Sequence, residues 1–457
     1  MLFSLEKAFY ILVFYIPFSV ALNPLPGIDL SSLRVFILIL FGVVLIKAII
    51  QRKFFELWRI FNNKTAIFLL LFLLIMFLSL LKAENIFWSL RKILFFISIF
   101  PLHFLTIYFV RSFVQAKKVI FALAGGAFFI SLIGILQFFF QFIIGVEPLK
   151  FFWAKNVVPI FLGKSFGSLI VSNPSWFTEI SGKTFFRAIS LLPDPHILSF
   201  YGGLILPILL SFLIFGWKFG KIKFFIPTSY FFLLALLFLT FSRSAYMALI
   251  ITFAVVFYLG WARIKENFKK SLFPVLGVGL AVIGILLLLI PVSPASDRFY
   301  SSFDLQDNSN LGRIEIWRKS LEIFKENILL GVGIGNFSLH IDPQVFYRNS
   351  ITAHNAYLDI AAETGIFGLL IWLGLIWGSI WLLFKRFRSR LTLMSTPNYA
   401  EKEEFGFYNM FYVGLIGSLV WFSAQTLFDT AIYSVAVLAV LIVVLGLVSF
   451  IQNSKFL

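Results

Sequence analysis

The chain has 457 residues, 60% of them hydrophobic and 13% charged, and apolar runs of about twenty residues recur from end to end, which excludes an ordinary soluble protein and points to a polytopic membrane protein. The formal net charge of +17 is not a nucleic-acid signature, because Lys and Arg sit in short clusters between apolar blocks, where they act as topology determinants. Cysteine is absent, which excludes a disulfide framework, a thiolate metal site and a cysteine nucleophile.

The apolar blocks are expected to be helices, since open strands leave backbone groups unsatisfied in lipid and the alternation of a barrel strand is missing. In order they fall at roughly 8–22, 33–50, 65–81, 93–110, 119–145, 197–216, 224–241, 244–262, 272–291, 354–384, 407–425 and 432–452. This is an all-α protein of about twelve transmembrane helices, with residues 1–457 forming one integral membrane domain. The first block runs into Asn23-Pro24-Leu25-Pro26-Gly27 without a small-residue cleavage pattern, so it reads as helix one rather than a cleavable signal.

Orientation follows from the basic connections. They carry Lys47, Arg52, Lys53, Arg59 and Lys64, then Arg111, Lys117 and Lys118, then Lys218, Lys221 and Lys223. The series continues with Arg263, Lys265, Lys269 and Lys270, then Lys385, Arg386, Arg388 and Arg390. The positive-inside rule makes all five connections, and both termini, cytoplasmic.

Two long segments then fall on the outer side, residues 146–196 and residues 292–353, the second a large loop between helices nine and ten. The aromatics Trp153, Phe161, Trp176 and Phe177 of the first suggest a surface half immersed at the membrane interface. In the second, Ile314, Trp317, Leu321, Phe324 and Ile328 recur at helical spacing, which predicts an amphipathic helix on the outer membrane surface with Asn310 as its N-cap. Gly331-Val332-Gly333-Ile334-Gly335 follows no strand, so it is a flexible or closely packed turn rather than a dinucleotide site.

Chemistry has few candidates. His354 stands at the outer mouth of helix ten, either solvating a helix end or accepting a proton from an attacking hydroxyl. Tyr357, Leu358, Ala361, Gly365 and Gly368 follow on or beside one helical face, offering close packing or room for a lipid-linked substrate. Arg243 sits in a tight outer hairpin, snorkelling to headgroups or facing an anion. Arg313 opens the amphipathic helix, with Arg318 and Lys319 as substitutes and headgroup binding as the plainer reading. Asp359 and Glu363 either fix the histidine's tautomer or lie in a helix interface. No Asp-x-Asp or Asp-Asp pair occurs among the outer acids, so no metal site is expected. His103 is the main ionisable residue inside a span, which weighs against a secondary transporter, the rival from a different class.

Three passages, Thr240-Phe241-Ser242-Arg243-Ser244-Ala245, then Gly312-Arg313-Ile314-Glu315-Ile316-Trp317 leading to Gly331 through Phe337, then His354-Asn355 followed by Gly365-Ile366-Phe367-Gly368, occur in order on the outer side. In these the chain resembles the superfamily of O-antigen ligases and O-antigen polymerases, bacterial enzymes of envelope glycan transfer, and His354-Asn355 with its spacing is closest to the ligases. Asp194-Pro195-His196 is also similar, with His196 where the family pattern has asparagine.

The resemblance implies an inverting, metal-independent and cofactor-free transfer of a glycan from an undecaprenyl diphosphate carrier to an acceptor sugar, such as the lipid A-core oligosaccharide, on the periplasmic side of the bacterial inner membrane. It implies that His354 orients or deprotonates the acceptor hydroxyl while Arg243 and Arg313 hold the diphosphate. Arg187, Arg318, Asn355 and Tyr357 are the accompanying substrate-binding candidates. Within this reading the alternatives are a polymerase extending the lipid-linked glycan and a protein O-oligosaccharyltransferase.

Overall fold

The computed structural model describes residues 4–25, 28–53, 58, 60–164, 173–180, 182–215, 224–267, 272–289, 294–304, 306, 308–347, 350–393 and 399–453. Arg59, Lys218, Lys221, Lys223, Lys269 and Lys270 of the expected basic connections lie outside the described residues. The main helices are α1 Leu5–Tyr15, α2 Ser32–Ile50, α3 Lys64–Ser79, α4 Ile86–Ile99, α5 Pro101–Phe109, α6 Phe113–Ile144 and α7 Pro195–Ile214. They continue with α8 Phe225–Leu239, α9 Arg243–Asn267, α10 Leu272–Leu289, α11 Asn308–Glu326, α12 Ala356–Leu393, α13 Tyr399–Gln425 and α14 Val435–Asn453.

Helix occupies each of the twelve apolar blocks, and the protein is an all-α polytopic membrane protein. Among the described residues, eight helical stretches are long and apolar enough to cross a bilayer, and Phe225–Leu239 and Leu276–Leu287 are shorter apolar helices. The first and fourth blocks are not single unbroken helices. The first is helical only to Tyr15, followed by a 3-10 turn over Ile16–Phe18 where Pro17 removes a backbone donor. The fourth is two helices meeting at Pro101.

The centre of the bundle is α7, 94% of whose apolar window is buried. It packs against α8, α9, α10 and α13. Without a hydrophobic driving force between helices in lipid, close approach depends on small residues. Gly203 of α7 seats the indole of Trp421, which a Cβ would meet at 1.7 Å, and Gly417 of α13 receives Pro207.

The bundle has two distinct ends. At one, Lys118 pairs with Glu6 at 3.3 Å, Arg386 donates to Gln452 O at 2.7 Å, and buried His103 lies 3.3 Å from the Thr65 hydroxyl at the start of α3. His103 therefore belongs to a small polar network at this end, not to the middle of a span. At the other end the long connections meet: Asn85 N–H donates to Asn336, Ala188 N–H to Leu239 O and Ala356 N–H to Thr426 O.

Two short antiparallel hairpins lie at this second end, β1 Ala21–Leu25 with β2 Ile28–Ser31, and β3 Phe177–Ile180 with β4 Lys183–Phe186. The aromatics of the first long connection do not all lie on its surface. Trp176 is fully buried, donates to Pro193 O at 2.9 Å and closes a satellite core with Phe186, Leu149 and Val158. Phe151 and Phe152 remain exposed.

Helix α11 forms in the second long connection. Its inward side carries Ile316, Ser320 and Ile323, while Ile314, Leu321 and Ile328 are exposed. Trp317 donates its indole N–H to Ala353 O at 2.9 Å, which ties the helix to the residue before His354. Asn310 is not the N-cap: it lies inside the first turn and its amide donates back to Asp304 O at 2.7 Å.

Helix α12 breaks at Gly365, which has φ 68° and ψ −166°. The residues after the break therefore do not continue the face that begins at Tyr357. The glycine turn 331–335 fits into the break: Val332 N–H donates to Ala362 O at 2.9 Å and Ile366 N–H to Ile328 O at 2.7 Å. A Cβ on Gly331 would meet the Glu363 carbonyl carbon at 2.4 Å, and one on Gly365 would meet Leu329 O at 2.2 Å. Irregular backbone is tolerated at membrane depth only where protein satisfies it, and each glycine supplies both the positive φ and the space.

Candidate active site

The residues around His354 are fixed from three directions. Asn355 Oδ1 accepts from the N–H groups of Tyr357 and Leu358 at 3.0 and 3.1 Å, capping α12, and its amide donates to Leu427 O at 3.0 Å. Asp359 Oδ1 accepts from Ala353 N–H at 2.8 Å, and Trp317 holds Ala353 O. His354 itself has φ 49°, a left-handed conformation that a non-glycine residue adopts at a cost and that these surrounding bonds enforce.

The carboxylate facing His354 is Asp429, in the connection between α13 and α14. Nδ1 of His354 lies 3.4 Å from Oδ1 of Asp429, and Nδ1 of His196 lies 2.9 Å from Oδ2. His196 Nδ1 is also 3.1 Å from the hydroxyl of Ser242, the residue before Arg243. Since Nδ1 of His354 faces the carboxylate, Nε2 is the nitrogen left for a substrate, and the side chain is 44% exposed. The hydrogen bond to Asp429 raises the His354 pKa against the opposing effects of burial and of the Arg313 charge. Burial alone would raise the Asp429 carboxyl, but His196 and then His354 overcome it and hold the group well below the usual carboxylate range.

Arg243 is buried at the start of α9, with Phe241 before it at φ 46°, and its Nη1 lies 3.4 Å from Asn310 Oδ1 at the head of α11. Arg313, in the second turn of α11, is half-buried and near enough for its charge to oppose protonation of His354. The structure thus brings His354, Arg243 and Arg313 to one place. Arg318 is not among them: its side chain is 81% exposed and pairs with Glu322 at 3.1 Å.

The other candidates bond to the protein. Arg187 is buried and donates to Thr240 O at 2.7 Å and Ser175 O at 2.8 Å, bracing the hairpin that carries Arg243; burial, and then Arg298, pull its pKa down to about 9. The Tyr357 hydroxyl donates to Ser423 O at 3.2 Å. Glu363 pairs with Lys92 through both oxygens at 2.8 Å, and Asp359 holds Ala353 and the hydroxyl of Thr430, so neither is the carboxylate bonded to the His354 ring. Sequence reasoning missed Asp429, for which no motif or periodicity exists, and missed the role of His196, whose only signal was its departure from a family pattern.

Among the described residues, no group of three or more His, Cys, Asp or Glu side chains is placed to hold a metal ion. Chemically the site offers one imidazole open to an incoming hydroxyl, a carboxylate behind it and arginines for a leaving anion.

No curated protein matches the chain. Residues 228–373, the segment that carries Arg243, Arg313, the glycine turn and His354, match the family described as O-antigen ligase, and in that segment the chain is similar to a family of glycan-transferring enzymes.

Proposed function

We propose that the protein transfers a glycan from an undecaprenyl diphosphate carrier to the lipid A-core oligosaccharide, with inversion and without a metal, at the end of the bundle that faces the periplasm. The observation that supports this best is the placement of Asp429 against His354 Nδ1 with Arg243 and Arg313 alongside. His354 Nε2 takes the proton of the acceptor hydroxyl as its oxygen bonds to the sugar C1 and the C1–O bond to the diphosphate breaks. Asp429 stabilises the imidazolium that forms, and the arginines match the charge of the departing diphosphate. The basic end, with both termini, then faces the cytoplasm, and the membrane is the bacterial inner membrane.

The test is incubation of the purified protein with an undecaprenyl-diphosphate-linked glycan, with or without lipid A-core acceptor. A core-linked product supports ligation. Lengthening of the glycan on its carrier, with no core-linked product, would replace it with polymerisation.

A further inference from the structure

The connection Asp429–Tyr433 has chemistry on both sides. Asp429 faces His354, while Thr430 bonds Asp359 and the Tyr433 hydroxyl donates to Glu363 at 3.1 Å. Asp359, Glu363 and Tyr433 line a cavity of about 500 Å³ that does not contain His354, within the usual range of small-ligand sites. Arg34 of α2 and Arg91 and Lys92 of α4 line it as well, together with Tyr347, Ser350 and Thr352 of the large loop. Thr352 is two positions from His354, so the cavity ends close to the catalytic imidazole.

Its lining has a specific character. Each cation has a protein contact: Lys92 is held by Glu363 and lies 3.5 Å from the Tyr433 ring centroid, Arg34 donates to Ser98 at 2.6 Å, and the Arg91 guanidinium lies 5.0 Å over the Tyr347 ring. Asp29, Asp359 and Glu363 balance Arg34, Arg91 and Lys92 in the lining, so the cavity offers a phosphate no net positive charge. Uncharged sugar rings need none, since their hydroxyls donate to carboxylates and accept from guanidinium groups, and their C–H faces pack on tyrosine rings.

We propose that this cavity is a saccharide subsite that binds uncharged sugar rings of the acceptor and delivers one hydroxyl to His354 past Thr352. The assignment rests on the glycan-transfer reading, with the donor diphosphate on the arginine side of His354.

The cysteine-free chain allows a direct test on the full-length protein. Ser350→Cys, at the exposed rim of the cavity, is labelled with a thiol-reactive fluorophore, with Glu315→Cys on the exposed face of α11 as the control. The probe is deacylated lipid A-core oligosaccharide at millimolar concentration, without donor. The expected result is slower labelling at position 350 and not at 315, retained when His354→Ala is added and weakened about tenfold in apparent affinity by Tyr347→Ala. Equal labelling with and without oligosaccharide at position 350, or equal protection at both positions, overturns the proposal. Because no transfer is measured, the outcome is separate from that of His354→Ala on activity: normal transfer by that variant removes the catalytic reading while leaving the binding result to judge the cavity.

Discussion

Asp429 lies between two imidazoles, 3.4 Å from Nδ1 of His354 and 2.9 Å from Nδ1 of His196, so one carboxylate joins the mouth of α12 to the mouth of α7. A residue of the last outer connection thereby sets the orientation and basicity of a histidine that begins a different helix.

Replacing Asp429 by Asn leaves the shape but removes the charge. Transfer is expected to fall on the order of 10²-fold or more, in keeping with other carboxylates that orient catalytic imidazoles. The acid limb of the rate profile tracks deprotonation of His354, whose pKa Asp429 raises, so the limb moves to lower pH in Asp429→Asn. A pH–rate profile of both proteins checks the direction; an unmoved limb separates Asp429 from the base.

The same pair links stability to pH. The raised His354 contributes stability that is complete below its unfolded value of about 6.5 and is lost as pH rises through the folded value. The lowered Asp429 contributes stability present above its unfolded value of about 3.9 and lost as pH falls through the folded one. Thermal unfolding in detergent should therefore peak in the window between these two unfolded values, and Asp429→Asn should flatten the peak.

The arginines are expected to separate cleanly. Arg243→Ala and Arg313→Ala should each lower transfer by about 10²–10³-fold through lost leaving-group stabilisation, and Arg243→Lys should recover little because an ammonium lacks the planar fork. Arg318→Ala, at an exposed side chain paired with Glu322, should stay within about twofold of wild type. Initial rates at saturating acceptor distinguish these; a large loss in Arg318→Ala would assign the anion to the outer face of α11.

Gly365→Ala and Gly331→Ala each place a Cβ in backbone at a positive φ, where the conformation alone costs about 1–3 kcal/mol. Both should lower the melting temperature, and the double variant should lose less than the sum because the two glycines occupy one joint.

Chelation offers a simple check on the absence of a metal step. Prolonged treatment with EDTA should leave the transfer rate within about twofold, and restoration by a divalent ion after a loss would contradict the mechanism.

Much of the fold was legible along the chain, because the length of an apolar block and the sign of its flanking charges are local properties. The twelve blocks and the two long connections were of this kind, whereas Arg243, Arg313 and His354 stood out through the resemblance of their passages to a known family. The side of α11 that packs on the protein was not legible, because a hydrophobic stripe does not reveal that Ile316 and Ile323 are covered or that Trp317 bonds Ala353 O. The break at Gly365 was also hidden, since a glycine three residues from another reads equally well as a smooth packing face.

The sequence by itself determined an all-helical membrane protein with basic connections at one end and two long connections at the other, because bilayer thickness and charge asymmetry act on each segment independently. Only the tertiary structure decided that Asp429 faces His354, that Arg313 rather than Arg318 lies near it, and that a cavity opens behind Thr430. Those choices depend on how helices far apart in the chain pack their ends together, and packing across 75 positions leaves no periodic trace in the residues that it joins.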